Sequence, residues 1–321
     1  MDQSREIYSA NISKAGKHNK EVEFVEVAPR DGFQSISQYI SIKEKIAIVG
    51  ELLKAGFRRM ELGSVVSPRP LPQMADIAEI AAAYKGYDDA RLSLLVPNAK
   101  GAEIALRNGY DNLVFVISVS ETHNLKNVRQ TPNQSLDQLR SVIATIGAEA
   151  ISKLRIDLAT AFDCPFDGNV SLDAVRRIFL AAREIAPDAE FALCDTTGRA
   201  DPRSVSSRFE ALSHDAPCTA WAFHGHDTFG MGVANAFAAY MSGVQVIDGA
   251  AAGLGGCPFA PGASGNTAME DLVFAFSKGG IDSGVDLFQL LSAADRIAKL
   301  PGGMTASHLR NVPRERISQV L

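Results

Sequence analysis

The chain has 321 residues, 46% hydrophobic and 21% charged, with a formal net charge of -5. This composition is close to the globular average, so disorder is not expected beyond the ends, and the negative balance offers no basic field for a nucleic-acid backbone. Four cysteines (Cys164, Cys194, Cys218 and Cys257) stand at irregular spacing without a CxxC pair, which argues against a disulfide framework or zinc knuckle and fits a reducing compartment.

Residues 1–21 read as a polar N-terminal segment of mixed charge, unable to serve as the apolar core of a secretory signal. No apolar run approaches the length of a membrane span, so the expectation is a cytoplasmic protein with no membrane partner. From Val22 the chain alternates short apolar runs with helical patterns. The run Val22–Ala28 stops at Pro29-Arg30-Asp31-Gly32, and a helix over Ser41–Ala55 follows, with Ile46, Val49, Leu52 and Leu53 on one face. Then come a strand at Arg59–Leu62, a helix at Gln73–Tyr84, a strand at Leu92–Val96, a helix at Ala99–Asn108 and the apolar run Leu113–Val119.

The second half keeps the rhythm: helix Leu136–Ala150, strand Leu154–Ala159, helix Leu172–Ile185, strand Glu190–Cys194, helix Pro202–Leu212 and strand Thr219–His224. Helix Val233–Met241, strand Val244–Asp248 and helix Met269–Phe276 complete it, with a further helix at Leu287–Ala298. Strict βα alternation implies a parallel sheet, and eight units in this length match a closed (β/α)8 TIM barrel. The first strand is not followed by GxGxxG, which weakens the doubly wound alternative. The expected organisation is a barrel over 22–280 with a small helical extension over 281–321.

A TIM barrel keeps its active site at the C-terminal ends of its strands. Arg30-Asp31 ends the first strand, Glu61 lies on the second, Asp195 ends the sixth and His224-x-His226 the seventh, while the eighth leads to Gly253–Asn266. Residues two apart in a strand share a face, so both imidazoles can converge on one ion; two satisfied strand-end histidines are the competing interpretation. Asp31 could add a carboxylate and Asn266 a neutral oxygen. Two imidazoles, a carboxylate and a carboxamide without thiolate favour Mg2+ or Mn2+ over structural zinc. Arg30 either steadies the loop by a salt bridge or faces a developing oxyanion. Glu61 and Asp195 could orient the ligands or Arg30. Cys257 sits among five glycines and two prolines, where loop closure would bring its thiol in as a proton donor or acceptor.

These residues resemble those of the 3-hydroxy-3-methylglutaryl-CoA lyase family, metal-dependent aldolase-type TIM barrels. The matching segments are Glu26–Gln34, Val66–Met74, Asp195–Gly198, Phe223–Gly230 and Gly253–Asn266. The resemblance implies metal ligation by Asp31, His224, His226 and Asn266, a catalytic role for Arg30 and Cys257, and activity-related acids at Glu61 and Asp195. It further implies an acyl-CoA thioester substrate, a homodimer, and retro-Claisen cleavage to acetyl-CoA and acetoacetate, with His224 or Asp31 as candidate base. The chain departs from the family pattern at Phe33-Gln34-Ser35-Ile36, at Leu62–Val66, at Ser118–His123 and at Arg155–Phe162. Those changes open the acyl group to citramalyl-CoA or a longer-branched glutaryl-CoA. A Claisen-condensing synthase of the same superfamily and a non-catalytic metabolite-binding barrel are the more distant alternatives.

Overall fold

Eight strands whose outward faces are apolar each need a helix laid over them, and the chain supplies those helices in order. In a computed structural model describing residues 21–67, 69, 71–256, 265–303 and 305–321, the strands are β1 (Glu23–Glu26), β2 (Arg59–Ser64), β3 (Arg91–Leu95), β4 (Leu113–Ser118), β5 (Leu154–Ala159), β6 (Glu190–Asp195), β7 (Trp221–Gly225) and β8 (Val246–Gly249). They pair in the circular order β1-β8-β7-β6-β5-β4-β3-β2, a closed barrel. Every adjacent pair is parallel, as the alternation of elements requires.

The covering helices are α1 (Ile42–Lys54), α2 (Ile77–Ala83), α3 (Ala99–Arg107), α4 (Glu121–Val128), α5 (Pro132–Ile146), α6 (Leu172–Ile185), α7 (Pro202–Asp215), α8 (Gly232–Met241) and α9 (Met269–Lys278). Side-chain caps start many of them: Ser41 accepts from Glu44, Ser171 from Ala174, and Thr131 forms a reciprocal box with Gln134. That box starts α5 earlier than the apolar periodicity suggests. The short α4 escapes a periodicity search because Glu121-Thr-His-Asn-Leu-Lys-Asn carries almost no apolar stripe. Where one helix was expected over Gln73–Tyr84, a 3-10 turn at Pro72–Met74 precedes α2.

Parallel register fixes which side chains point inward, and the interior is unusually polar. Arg155 and Asp157 of β5 pair with Val114 and Val116 on one side and with Glu190 and Ala192 on the other. The same layers carry Cys194 beside His224, and His224 beside Asp248. On the far side Glu61 pairs with Ser93, and Arg59 with Arg91. The outward positions hold the apolar core: Ile156, Leu158, Phe191, Leu193, Phe223 and Ile247 are buried against the helices. Trp221 closes an aromatic cluster with Phe179 and Phe209, at centroid separations of 4.7 and 5.8 Å.

Beyond the barrel, α10 (Leu287–Ile297) packs beside α1. Arg296 ties the two, donating to Glu44 at 2.7 and 2.9 Å and to Glu51 at 2.5 Å. The segment after α10 then crosses the loop that follows β8, where Ala306 donates to the Ala252 carbonyl at 3.1 Å. It ends in α11 (Arg314–Ser318). Among the described residues, no helix is long and apolar enough to cross a membrane.

Candidate active site

The run Val22–Ala28 does not continue as a strand to its end. After Glu26 the chain enters a single wide turn over Ala28–Gly32, in which the amides of Arg30, Asp31 and Gly32 all donate to the Val27 carbonyl, at 3.1, 2.8 and 3.3 Å. Pro29 has no N–H to place, so it fits this turn without loss. The tight wrap buries Arg30 and Asp31 together at the mouth of the barrel, each 7% exposed. Arg30 donates through Nε to Glu61 at 2.5 Å and through Nη1 to Asp31 at 2.5 Å. Phe33, one of the departures from the family pattern, is buried in the apolar core and fills space there.

His224 lies on β7 and His226 just past its end, with ring centroids 5.3 Å apart. His226 Nε2 lies 3.8 Å from Asp31 Oδ2. One ligand atom from each of Asp31, His224 and His226 falls within 4.8 Å of the others, a cluster able to hold a metal ion. Asn266 is joined to His226 by a single antiparallel bridge, and its Nδ2 donates to Asp31 at 2.8 Å and to the Leu254 carbonyl at 3.1 Å. Its Oδ1 is buried without a partner, as is Nδ1 of His226. Buried polar atoms left unpartnered are costly. The carboxamide keeps a buried acceptor that a cation would satisfy. The donor set of two imidazoles, a carboxylate and a carboxamide thus fits a hard or borderline divalent cation.

Electrostatics support a permanently charged carboxylate at the centre. Burial works against ionisation of Asp31, but the Arg30 guanidinium and the two histidines outweigh it and hold the group well below the usual carboxylate range. Burial lowers His226. For His224, burial is outweighed by Asp248, which accepts from Nδ1 at 3.0 Å and raises the imidazole above its ordinary value. Asp248 is in turn gripped by Arg155 at 2.8 and 2.6 Å, and Arg155 Nε donates to Asp157 at 2.6 Å. Arg155 and Asp248 were not singled out from the sequence. The signal was there in the alternation Arg155-x-Asp157 on a buried strand, where charge every second residue points into the barrel.

The remaining expected site residues fall differently. Glu61 is fully buried, with Oε2 on Arg30 and Oε1 unpartnered. Asp195 lies on the outward alternation of β6, and its carboxylate accepts from the amides of Arg199 and Ala200 at 3.1 Å each. There it holds the turn that follows β6, while its main-chain carbonyl accepts from the His226 amide at 3.3 Å. Burial raises its carboxyl to about 6 despite those amide bonds. Cys257 lies outside the described residues.

The base of its loop is described. Ala252 takes φ +64°, and the turn at Ala251–Gly253 is held by two buried acids. Glu26 Oε1 accepts from Ala28 at 2.8 Å and from Ala251 at 3.0 Å, and Glu270 Oε2 accepts from Ala252 at 3.0 Å. Each keeps its other oxygen buried and unpartnered. Burial lifts Glu26 to about 8 and Glu270 to about 7.

Known proteins carry the same arrangement of elements. The hydroxymethylglutaryl-CoA lyase YngG of Bacillus subtilis is 38% identical over 283 residues, 88% of this chain and 94% of that protein. The (R)-citramalyl-CoA lyase of Chloroflexus aurantiacus is also 38% identical, over 291 residues, covering 88% of this chain and 91% of that one. An HMG-CoA lyase from Acinetobacter baumannii, solved with coenzyme A and 3-methylmalate, superposes with a TM-score of 0.85 at 34% identity, covering 91% of this chain and 94% of its own. The HMGL-like family model matches residues 21–297, a span that takes in all eight strands, the Arg30–Asp31 turn, the paired histidines and Asn266. On that match, the chain belongs to the HMGL-like family.

Proposed function

We propose that this protein is a divalent-metal-dependent carbon–carbon lyase that cleaves 3-hydroxy-3-methylglutaryl-CoA to acetyl-CoA and acetoacetate. The observation that carries the reading is the convergence of Asp31, His224 and His226 on one point, with Arg30 bonded into the same cluster. Mg2+ or Mn2+, held by these three and Asn266, would supply Lewis acidity toward the substrate's tertiary hydroxyl and orient its carboxylate. The chain's own groups then divide the work. A base at the cluster takes the hydroxyl proton as the C2–C3 bond breaks and C3 becomes a ketone: Asp31 through an oxygen not spent on the ion, or His224 where its Nε2 is not itself a ligand. The bond's electron pair passes to the thioester half as an enolate, whose oxygen faces Arg30. Cys257 returns a proton to C2, while Glu61 holds Arg30 at Nε and Asp195 orders the turn after β6 as positioning groups. Acyl-CoA as substrate accords with the coenzyme A bound in the A. baumannii relative. A homodimer, on the family resemblance alone, and a cytoplasmic location, on irregularly spaced cysteines that fit a reducing compartment, complete the proposal.

The test is a product assay with Mg2+- or Mn2+-loaded protein, run on a sample whose sedimentation coefficient also reads the dimer. Release of acetyl-CoA and acetoacetate, abolished by a chelator, is expected. Turnover that survives complete metal removal would overturn the metal chemistry.

A second reading has one observation in its favour: the citramalyl-CoA lyase matches this chain at the same 38% identity as the hydroxymethylglutaryl-CoA lyase. Cleavage of citramalyl-CoA with none of the methylglutaryl thioester would keep the mechanism and move the substrate.

A further inference from the structure

We propose that Arg155, two hydrogen bonds away from the cluster, is a positioning residue for the metal site: it fixes the carboxylate of Asp248, and through it the tautomer and ring direction of His224. The inference rests on the metal reading above and extends it into the barrel floor.

The geometry is specific. Asp248 accepts from both terminal nitrogens of Arg155, at 2.8 Å on Oδ1 and 2.6 Å on Oδ2, so its plane is fixed by a two-pronged grip. The same Oδ2 faces His224 Nδ1 at 3.0 Å. An ionised carboxylate only accepts, so Nδ1 must carry the hydrogen, which leaves the Nε2 lone pair for the Asp31–His226 side. Among the described residues no other arginine or lysine pairs with Asp248, whose remaining partner is His224, and Asp157 shares the same guanidinium through Nε. Without Arg155 the Asp248 carboxylate is free to turn and sits near Asp157 with nothing between them. His224 then has no reason to keep its proton on Nδ1. A lysine could replace the charge but could not span both oxygens and Asp157 in one plane.

The arginine itself is anchored from below. Glu190 stands 3.8 Å from Arg155 Nε and is bound by Arg59, which also donates to Glu23 at 3.1 Å. The charges alternate down the axis, so Arg155 is held in position independently of the metal ligands. A purely structural role, neutralising the buried acids, would predict a change in stability alone.

The experiment strips the protein of metal and measures Mn2+ binding by the electron paramagnetic resonance of the free ion. The same samples, labelled with 15N-histidine, give the His224 tautomer at pH 9. Arg155→Met is expected to weaken Mn2+ binding at least tenfold and to turn a single Nδ1–H signal into a mixture with Nε2–H. Asp248→Asn should weaken binding similarly, and the double variant no further than the worse single. Arg155→Lys should recover part of the affinity. A folded Arg155→Met that binds Mn2+ within twofold of wild type with an unchanged tautomer overturns the proposal, as do losses that simply add. If Arg155→Met fails to fold, Arg155→Lys carries the test. It should bind a few-fold more weakly with a split tautomer signal, and wild-type values in both would sink the idea. Wild-type protein that binds no Mn2+ would refute the metal reading instead, and the tautomer measurement would still decide the relay.

Discussion

Arg30 spends two of its donors on carboxylates, Glu61 and Asp31, before any substrate arrives. Its guanidinium is therefore locked in plane, and a remaining nitrogen can meet an enolate oxygen without reorganising. Arg30→Gln keeps roughly the length and removes the charge. It should lower kcat by about 10²–10³-fold while Mn2+ stays bound; steady-state kinetics beside metal analysis reads both, and near-wild-type kcat would refute the oxyanion role. Cys257→Ala should abolish turnover with metal content intact, and loss of metal in that variant would mean the thiol has been misassigned. The residues with open chemistry were legible in the sequence because their type and position at strand ends announce them. Asp248 and Arg155 were not, because their meaning lies in a bond between residues 93 apart in the chain. Asp195 was read from its strand-end position as a group that could orient the ligands or Arg30; alternation turns its carboxylate to the following turn, while its main-chain carbonyl accepts from the His226 amide.

At the scale of elements, the turn at Ala251–Gly253 is the telling case. Two glutamates reach it from different directions, Glu26 from the end of β1 and Glu270 from the start of α9, and each spends one oxygen on its amides. Both carboxyls titrate higher in the folded chain than the ordinary 4.5, near 8 and 7. The folded state therefore keeps protons that the unfolded chain releases, so stability falls as pH rises from about 4.5 through 8 and levels off above that. Glu26→Gln removes one of these titrations. Between pH 6 and pH 9 the wild-type Tm should drop by about 5 °C, and by visibly less in the variant. Equal pH slopes in the two proteins would show that Glu26 is ionised throughout. Nothing in the sequence hinted at this pairing, since glutamates on a strand and a helix look like ordinary solvated charges. It did reveal the strands and most helices, where apolar spacing and caps agree, and it missed α4, where the helix is polar on most sides.

For the whole molecule, the closed barrel was readable because connection order alone restricts a strictly alternating βα chain to few shapes. What alternation could not reveal is how the interior is filled. A barrel of this size is commonly packed with branched apolar side chains. Here the inner layers carry Arg59, Glu61, Arg155, Asp157, Glu190 and Asp248. Buried ion pairs of this kind add little net stability compared with apolar packing. Their arrangement makes sense as a scaffold for the charged mouth above them.

The wide turn after β1 has a consequence for how such a site can change over time. Three successive amides share the one carbonyl of Val27, so Arg30 and Asp31 are aimed by a single backbone feature. A residue inserted or lost ahead of that turn would carry both side chains along together, and one gained inside it would misdirect both at once. The cation and the central carboxylate are thereby inherited as a pair, and the acyl pocket around them can be rebuilt for new thioesters without either one drifting alone.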